Sequence, residues 1–219
     1  MVDHISTAMN FKGALDFWKN LKFEAVVIPR LEDTLDLHAI LFENEDFVRG
    51  ELKQSPNFVR IGGGQYLCFT APKNVELEYE KLMTESQTLL AKLPPPEPPF
   101  ECLLAKAIYV AYFHARFIHI HPFEDGNGRL SRFIAHSQIW KLYPTPLFDE
   151  QRLDKNHSSL TEFDRTYYLS ALQRSPEQLS PLIRYFLPPN AERISDAIQP
   201  PFPIPRKIRP FPPEPGDDW

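Results

Sequence analysis

Seven residues within one stretch, "HPFEDGNGRLSR" at 121–132, have the types and spacing to act on a single ligand: His121, Asp125, Gly126, Asn127, Gly128, Arg129 and Arg132. The glycines flank Asn127 just before an apolar helical pattern. There they let successive backbone N–H groups converge on an anion, and the free amides and dipole of the following helix add to the attraction. Arg129 and Arg132 are three apart and share a helical face. Two guanidiniums at a helix N-terminus oppose its dipole, a cost that a polyanion between them offsets, so more than one phosphate is the natural occupant. Asp125 would be repelled by phosphates unless a cation mediates; Mg2+ takes one or two carboxylates together with phosphate oxygens. His121, with an ordinary pKa near 6.5, suits a general base at neutral pH, and on that value activity should fall below about pH 6. Pro122 and Phe123 are expected to fix the loop, Phe123 as a buried anchor, with Glu124 facing solvent.

Each signal alone has an ordinary structural explanation: a histidine as a helix cap, a GxG as a tight turn, two arginines as a solvated face. Their coincidence in twelve residues favours a polyphosphate site. A zinc cluster of His114, His119 and His121 is disfavoured, because that spacing on one helix does not converge three imidazoles and no HExxH or paired cysteines accompany it.

The elements that would carry this loop are helical. "NVELEYEKLMTESQTLLAKL" has an apolar stripe at Val75, Tyr79, Leu82, Met83, Leu89, Leu90 and Leu93. Asn74 is its expected cap, Glu76 and Glu78 suit its first turn and Lys92 its last, and the prolines of 94–99 must stop it. A second helix from Phe100 to His119, apolar nearly all round, is expected to be central. A third should begin near Gly128 or Arg129 and end before Pro144. "TEFDRTYYLSALQR" and "SPLIRYFL" supply two more, with Ser180 as cap. "FVRIGGGQYLCFTAP" breaks the pattern: short apolar runs around three glycines read as a β-hairpin, which alone is marginal unless it packs or binds something.

The chain has 219 residues and a formal net charge of −5, with no basic stripe, so nucleic acid is not an expected partner. Cys68 and Cys102 lack CxxC spacing and read as reduced thiols. No basic start followed by an apolar run marks a signal peptide, and Lys106, His114 and Arg116 argue against a membrane span in the most apolar segment. The chain is expected to be soluble and cytoplasmic. Ten of its 23 prolines fall within residues 188–215, so 188–219 reads as an extended or disordered tail outside the core.

The motif resembles the signature of the Fic family, HPFx(D/E)GNGRxxR, at every defined position. The resemblance extends to "RGELKQSPNFVRIGG", similar to the segment leading into that family's hairpin flap, to "PPFECLLAKAIYVAYFHARFIHI" before the motif, and to "DRTYYLSALQRSPEQLSPLIRYFL" at the closing helices. It implies an all-α Fic-type bundle with a small β-hairpin flap beside the active-site loop. It also implies three parts: an N-terminal helical extension at 1–33, a core at 34–187 and the tail at 188–219. Fic proteins mostly transfer AMP from ATP to a target protein. Carried to this chain, His121 takes the proton of a target Ser, Thr or Tyr hydroxyl and Asp125 holds Mg2+ on the phosphates. Gly126, Asn127 and Gly128 bind phosphates through backbone and amide, and Arg129 and Arg132 hold the β- and γ-phosphates. The flap residues Ile61, Gly62, Gly63, Gly64, Gln65 and Tyr66 dock the target backbone by strand addition. A lysine stands in place of Gly128 in the Doc branch, where phosphate is transferred; the glycine argues for adenylyl transfer.

Many Fic proteins are restrained by a glutamate in [S/T]xxxE[G/N] that pairs with the residue matching Arg132. This chain has no full match, the nearest being "SSLTEF" at 158–163. A separate antitoxin-like partner is therefore one expected source of restraint. Two rival readings are a nucleotide-binding adaptor acting through the tail, and removal of AMP from a modified protein. The second uses the inhibitory glutamate in the family, so its absence weighs against that reading.

Overall fold

A computed structural model describes residues 4–22, 27–62, 64–94, 99–142, 162–186, 192–205 and 207–209. Among the described residues seven α-helices run in chain order: α1 His4–Asn20, α2 Leu31–Leu41, α3 Val75–Ala91, α4 Pro99–Ile120, α5 Asn127–Leu142, α6 Glu162–Arg174 and α7 Ser180–Phe186. Strands β1 Phe58–Gly62 and β2 Gln65–Cys68 form the expected hairpin, and β3 Lys207–Arg209 joins it. The fold is thus the helical bundle with a small sheet that the sequence indicates. Gly63, the prolines at 95–98 and most of "SSLTEF" lie outside the described residues.

Helix α4 is the axis. From Tyr109 to Ile120 every residue is buried, including Arg116 at 2 % exposure. A buried guanidinium is tolerable only when paired. Arg116 reaches Glu78 and Glu85 of α3 at 3.2 Å each, and the Tyr112 hydroxyl donates to Glu85. This network, which Glu78 extends to Lys81, fixes α3 against the end of α4 from which the motif emerges. Asn74 sits at the α3 N-cap position but makes no capping bond; a 3-10 turn, Pro72–Asn74, leads into the helix instead.

Helix α5 packs along α4, and α1 closes the other side, with Phe11 and Trp18 edge-on to Phe133 at 5.6 and 5.9 Å. Ala14 and Trp18 are fully buried in the common core. The described part of residues 1–33 is helical, packs into this core and leads into α2, which runs across the 33/34 division. Among the described residues, no helix is long and apolar enough to cross a membrane. Cys68 and Cys102 are buried and form no disulfide.

The tail departs from expectation. Expected outside the core, it has among its described residues Ile194 and Ile204, 3 % and 6 % exposed, within the core. The Ser180 hydroxyl, expected as a cap, instead accepts the Ile198 N–H, and the Leu179 N–H donates to Ile198 O. Arg184 bonds both Ile194 O and Asp196, and the Phe202 ring lies 5.9 Å from that of Tyr112. So anchored, the tail delivers Lys207–Arg209 antiparallel to β2, Ile208 opposite Leu67, giving the order β1-β2-β3. Proline forbids helix but not burial of the isolated apolar residues between prolines.

Candidate active site

The motif loop links the end of α4 to the start of α5 and is tied down from within. Asn127 closes it: its Oδ1 accepts the Phe123 N–H at 3.0 Å and its Nδ2 donates to Phe123 O at 2.8 Å. The Asn127 side chain, expected on a phosphate, is thus committed to the loop and is absent from the lining of the cleft described below. Phe123 is fully buried, as expected of an anchor, and stacks at 3.8 Å on the ring of His38. His38, fully buried in α2, accepts the Gly50 N–H at Nδ1, so its Nε2 carries the proton and donates to Asp125 O. Burial holds His38 neutral, its pKa lowered to about 4. Sequence reasoning missed this residue. Its signal is a polar side chain on the buried stripe of α2, beside Leu37 and Leu41.

Gly126 has φ +79, and a Cβ there would lie 2.6 Å from Phe42 Cε2. Left-handed strain and overpacking both penalise a side chain. Gly126→Ala should lower stability by about 3 kcal/mol, read as a shift in denaturant midpoint; an unchanged midpoint would show that the loop is free to relax. Glu124 is exposed as expected but not idle: its Oε1 accepts the Gln54 and Ser55 N–H groups at 3.1 and 3.2 Å.

His121, Asp125, Gly126, Gly128, Arg129 and Arg132 meet in one cleft of about 840 Å3, within the range of small-molecule sites. Asn57, Phe58, Val59, Arg60, Leu67 and Phe69 form the hairpin wall, and Tyr168, Leu169, Leu172 and Gln173 of α6 the opposite one. Of the expected flap residues, Gly64, Gln65 and Tyr66 are not in the lining; the strand residues nearer the bundle take that place.

The His121 ring stacks on Phe69 at 3.8 Å and 10°. Its Nδ1 lies 3.2 Å from Ile118 O. A carbonyl only accepts, so Nδ1 carries the hydrogen and Nε2 keeps a lone pair. Burial, then the charge of Lys53, lowers the His121 pKa to about 3. The base therefore stays neutral far below pH 6, and the fall expected from an ordinary imidazole does not follow from its protonation.

The arginines differ. Arg129 pairs with Glu45 at 2.5 Å and lies over the Phe42 ring, 4.4 Å from its centroid. Arg132 lies 5.3 Å over the Tyr168 ring, with its buried Nε unpartnered among the described residues. Beneath it, His114 donates from Nδ1 to Ser131 O, so its Nε2 accepts the Tyr168 hydroxyl at 2.9 Å. Asp125 is exposed at the cleft, its Oδ1 accepting the Gly126 N–H. An exposed carboxylate beside two guanidiniums and the mouth of a helix fits Mg2+ completed by phosphate oxygens, not an all-protein cage. Among the described residues no group of three or more His, Cys, Asp or Glu could hold a metal.

A model of the Fic/DOC family matches residues 29–139. Protein adenylyltransferase Fic of Drosophila persimilis is 32 % identical over 95 residues, covering 35 % of this chain and 19 % of its own length. The Aedes aegypti protein of the same name is 38 % identical over 53 residues, covering 24 % and 11 %. The chain thus spans a fifth or less of the length of these curated relatives. In fold it is similar to a Fic-domain-containing signalling protein from Bacteroides thetaiotaomicron, with TM-score 0.58, 21 % identity and coverage of 84 % of this chain and 64 % of the other. A Fic family protein from Desulfovibrio desulfuricans gives TM-score 0.60 at 16 % identity, covering 86 % and 51 %. The motif, the cleft it lines and the matched span agree: the chain belongs to the Fic/DOC family.

Proposed function

We propose that this chain is a protein adenylyltransferase that moves AMP from ATP to a hydroxyl of a target protein. The observation that carries the reading is His121 Nε2, a neutral lone pair in the same cleft as Asp125, Gly126, Gly128, Arg129 and Arg132. In this reading Nε2 accepts the proton of a target Ser, Thr or Tyr as its oxygen attacks the α-phosphorus in line and pyrophosphate leaves. Backbone amides at the start of α5 and the two guanidiniums orient the polyphosphate, since such transfers depend mainly on positioning and charge neutralisation. Mg2+, when bound, neutralises phosphate charge, and Asp125 is the residue that would hold it. The hairpin would align an extended target segment by strand addition. Incubation with Mg2+ and ATP labelled with phosphorus-32 at the α position should label a protein in host lysate; label from the γ position instead would make the reaction phosphorylation.

Glu45 bears on how the site is restrained. Its carboxylate occupies Arg129 and would repel an incoming polyphosphate. Glu45→Gln should tighten Mg·ATP binding about two- to fivefold, the worth of a half-exposed pair, measured by calorimetry. Weaker binding in that variant would mean that Glu45 aims Arg129 at the ligand instead.

A further inference from the structure

His121 has φ +53, a left-handed backbone that a side-chain-bearing residue keeps only where its surroundings impose it. The carbonyls on either side of it belong to Ile120 and Pro122. Both are approached by one residue: the Lys53 N–H donates to Pro122 O at 2.9 Å, and Lys53 Nζ to Ile120 O at a longer 3.4 Å. We propose that Lys53 is the positioning residue of the base, bracing the carbonyls of the residues before and after His121 so that its ring stays on Phe69 with Nε2 toward the cleft. The inference rests on the reading of His121 as base.

Three observations support it. Lys53 is 2 % exposed, and a buried amine is costly, so a side chain serving only as packing would do better without it. Burial lowers its pKa to about 7, with Glu124 acting against that; either protonation state still donates to a carbonyl. The residues after it continue the brace: the Gln54 and Ser55 amides hold Glu124, and Asn57 Nδ2 bonds Phe123 O and Glu124 O. Lys53 does not line the cleft, so it acts through His121 and not on the ligand.

The test is Lys53→Met, which keeps length and apolar volume but removes the donor. Expected are a kcat lower by on the order of 10- to 100-fold, an unchanged KM for Mg·ATP and a thermal midpoint no lower than that of the parent. Lys53→Arg, which restores an N–H donor, should recover most of the kcat. Histidine-selective NMR of the chain without nucleotide gives a readout independent of turnover: His121 ring-proton shifts set by stacking on Phe69 should move toward unstacked values in the Met variant and return in the Arg variant. Lys53→Leu, which also lacks a side-chain donor, is read the same way should Lys53→Met not fold. Parental ring shifts and kcat in these variants overturn the proposal. So does a loss of kcat matched by losses of nucleotide affinity and thermal midpoint that arginine does not rescue, the pattern of general packing. A parent chain that transfers nothing, yet whose His121 shifts respond to Lys53, counts against the transfer reading and for the brace.

Discussion

His121→Ala is expected to slow adenylyl transfer by on the order of 10³-fold while leaving Mg·ATP affinity nearly unchanged. In the proposed function the imidazole contributes the lone pair at Nε2, whereas Gly126, Gly128, Arg129 and Arg132, which line the same cleft, would meet the polyphosphate. Substitution therefore removes proton acceptance but not binding. Alanine at φ +53 also tolerates the left-handed backbone poorly and loses the stack on Phe69. His121→Asn is the gentler variant, because asparagine visits that region readily. Transfer of label from ATP, alongside calorimetric titration of Mg·ATP, separates the two effects. Transfer at the parental rate in both variants would put the proton acceptor elsewhere.

Acid should unfold this chain early. Burial lowers the pKa of His38 and His136 to about 4, and of His114 and His121 to about 3. In the unfolded chain the same imidazoles titrate near 6.5. Below that value the unfolded state takes up protons that the folded state refuses, so stability falls as pH drops toward 4 and levels off below about 3. Each group contributes about 1.4 kcal/mol per pH unit in that window. Four such groups acting in the same direction make the decline steep. Urea midpoints at pH 7, 6 and 5 should decline steeply, with unfolding before pH 4. Because His121 itself remains neutral there, loss of activity in mild acid should follow the loss of structure. A midpoint constant from pH 7 to pH 5 would show that these histidines are not held neutral.

What was legible in the sequence was local. The motif, the start of α5 after the glycines, the stripe of α3 and the hairpin are each written within a dozen or so consecutive residues, where periodicity and turn chemistry operate. The partners of the motif are not local. His38 meets Asp125 across 87 positions, Arg129 meets Glu45 across 84, and Lys53 meets Ile120 across 67. Lys53 stands in "GELKQSPN", which reads as a solvated loop, and nothing in its neighbours marks it for burial. The resemblance puts Asn127 on the phosphates; the structure uses both ends of its amide to close the loop around Phe123. The burial of the tail is hidden for a related reason. Ile194, Phe202 and Ile204 have no periodicity to reveal them, and they gain packing only because α4 and α7 offer a surface.

The strand contributed by that tail decides which flank of the small sheet can receive a visitor. β3 covers β2, and among the described residues nothing pairs with the far side of β1. Unclaimed amides and carbonyls along a sheet margin recruit any passing backbone. With β3 on the other flank, the outer strand that borders the cleft is β1, which lends it Phe58, Val59 and Arg60, so a guest polypeptide aligned beside the cleft would have its direction read against that strand.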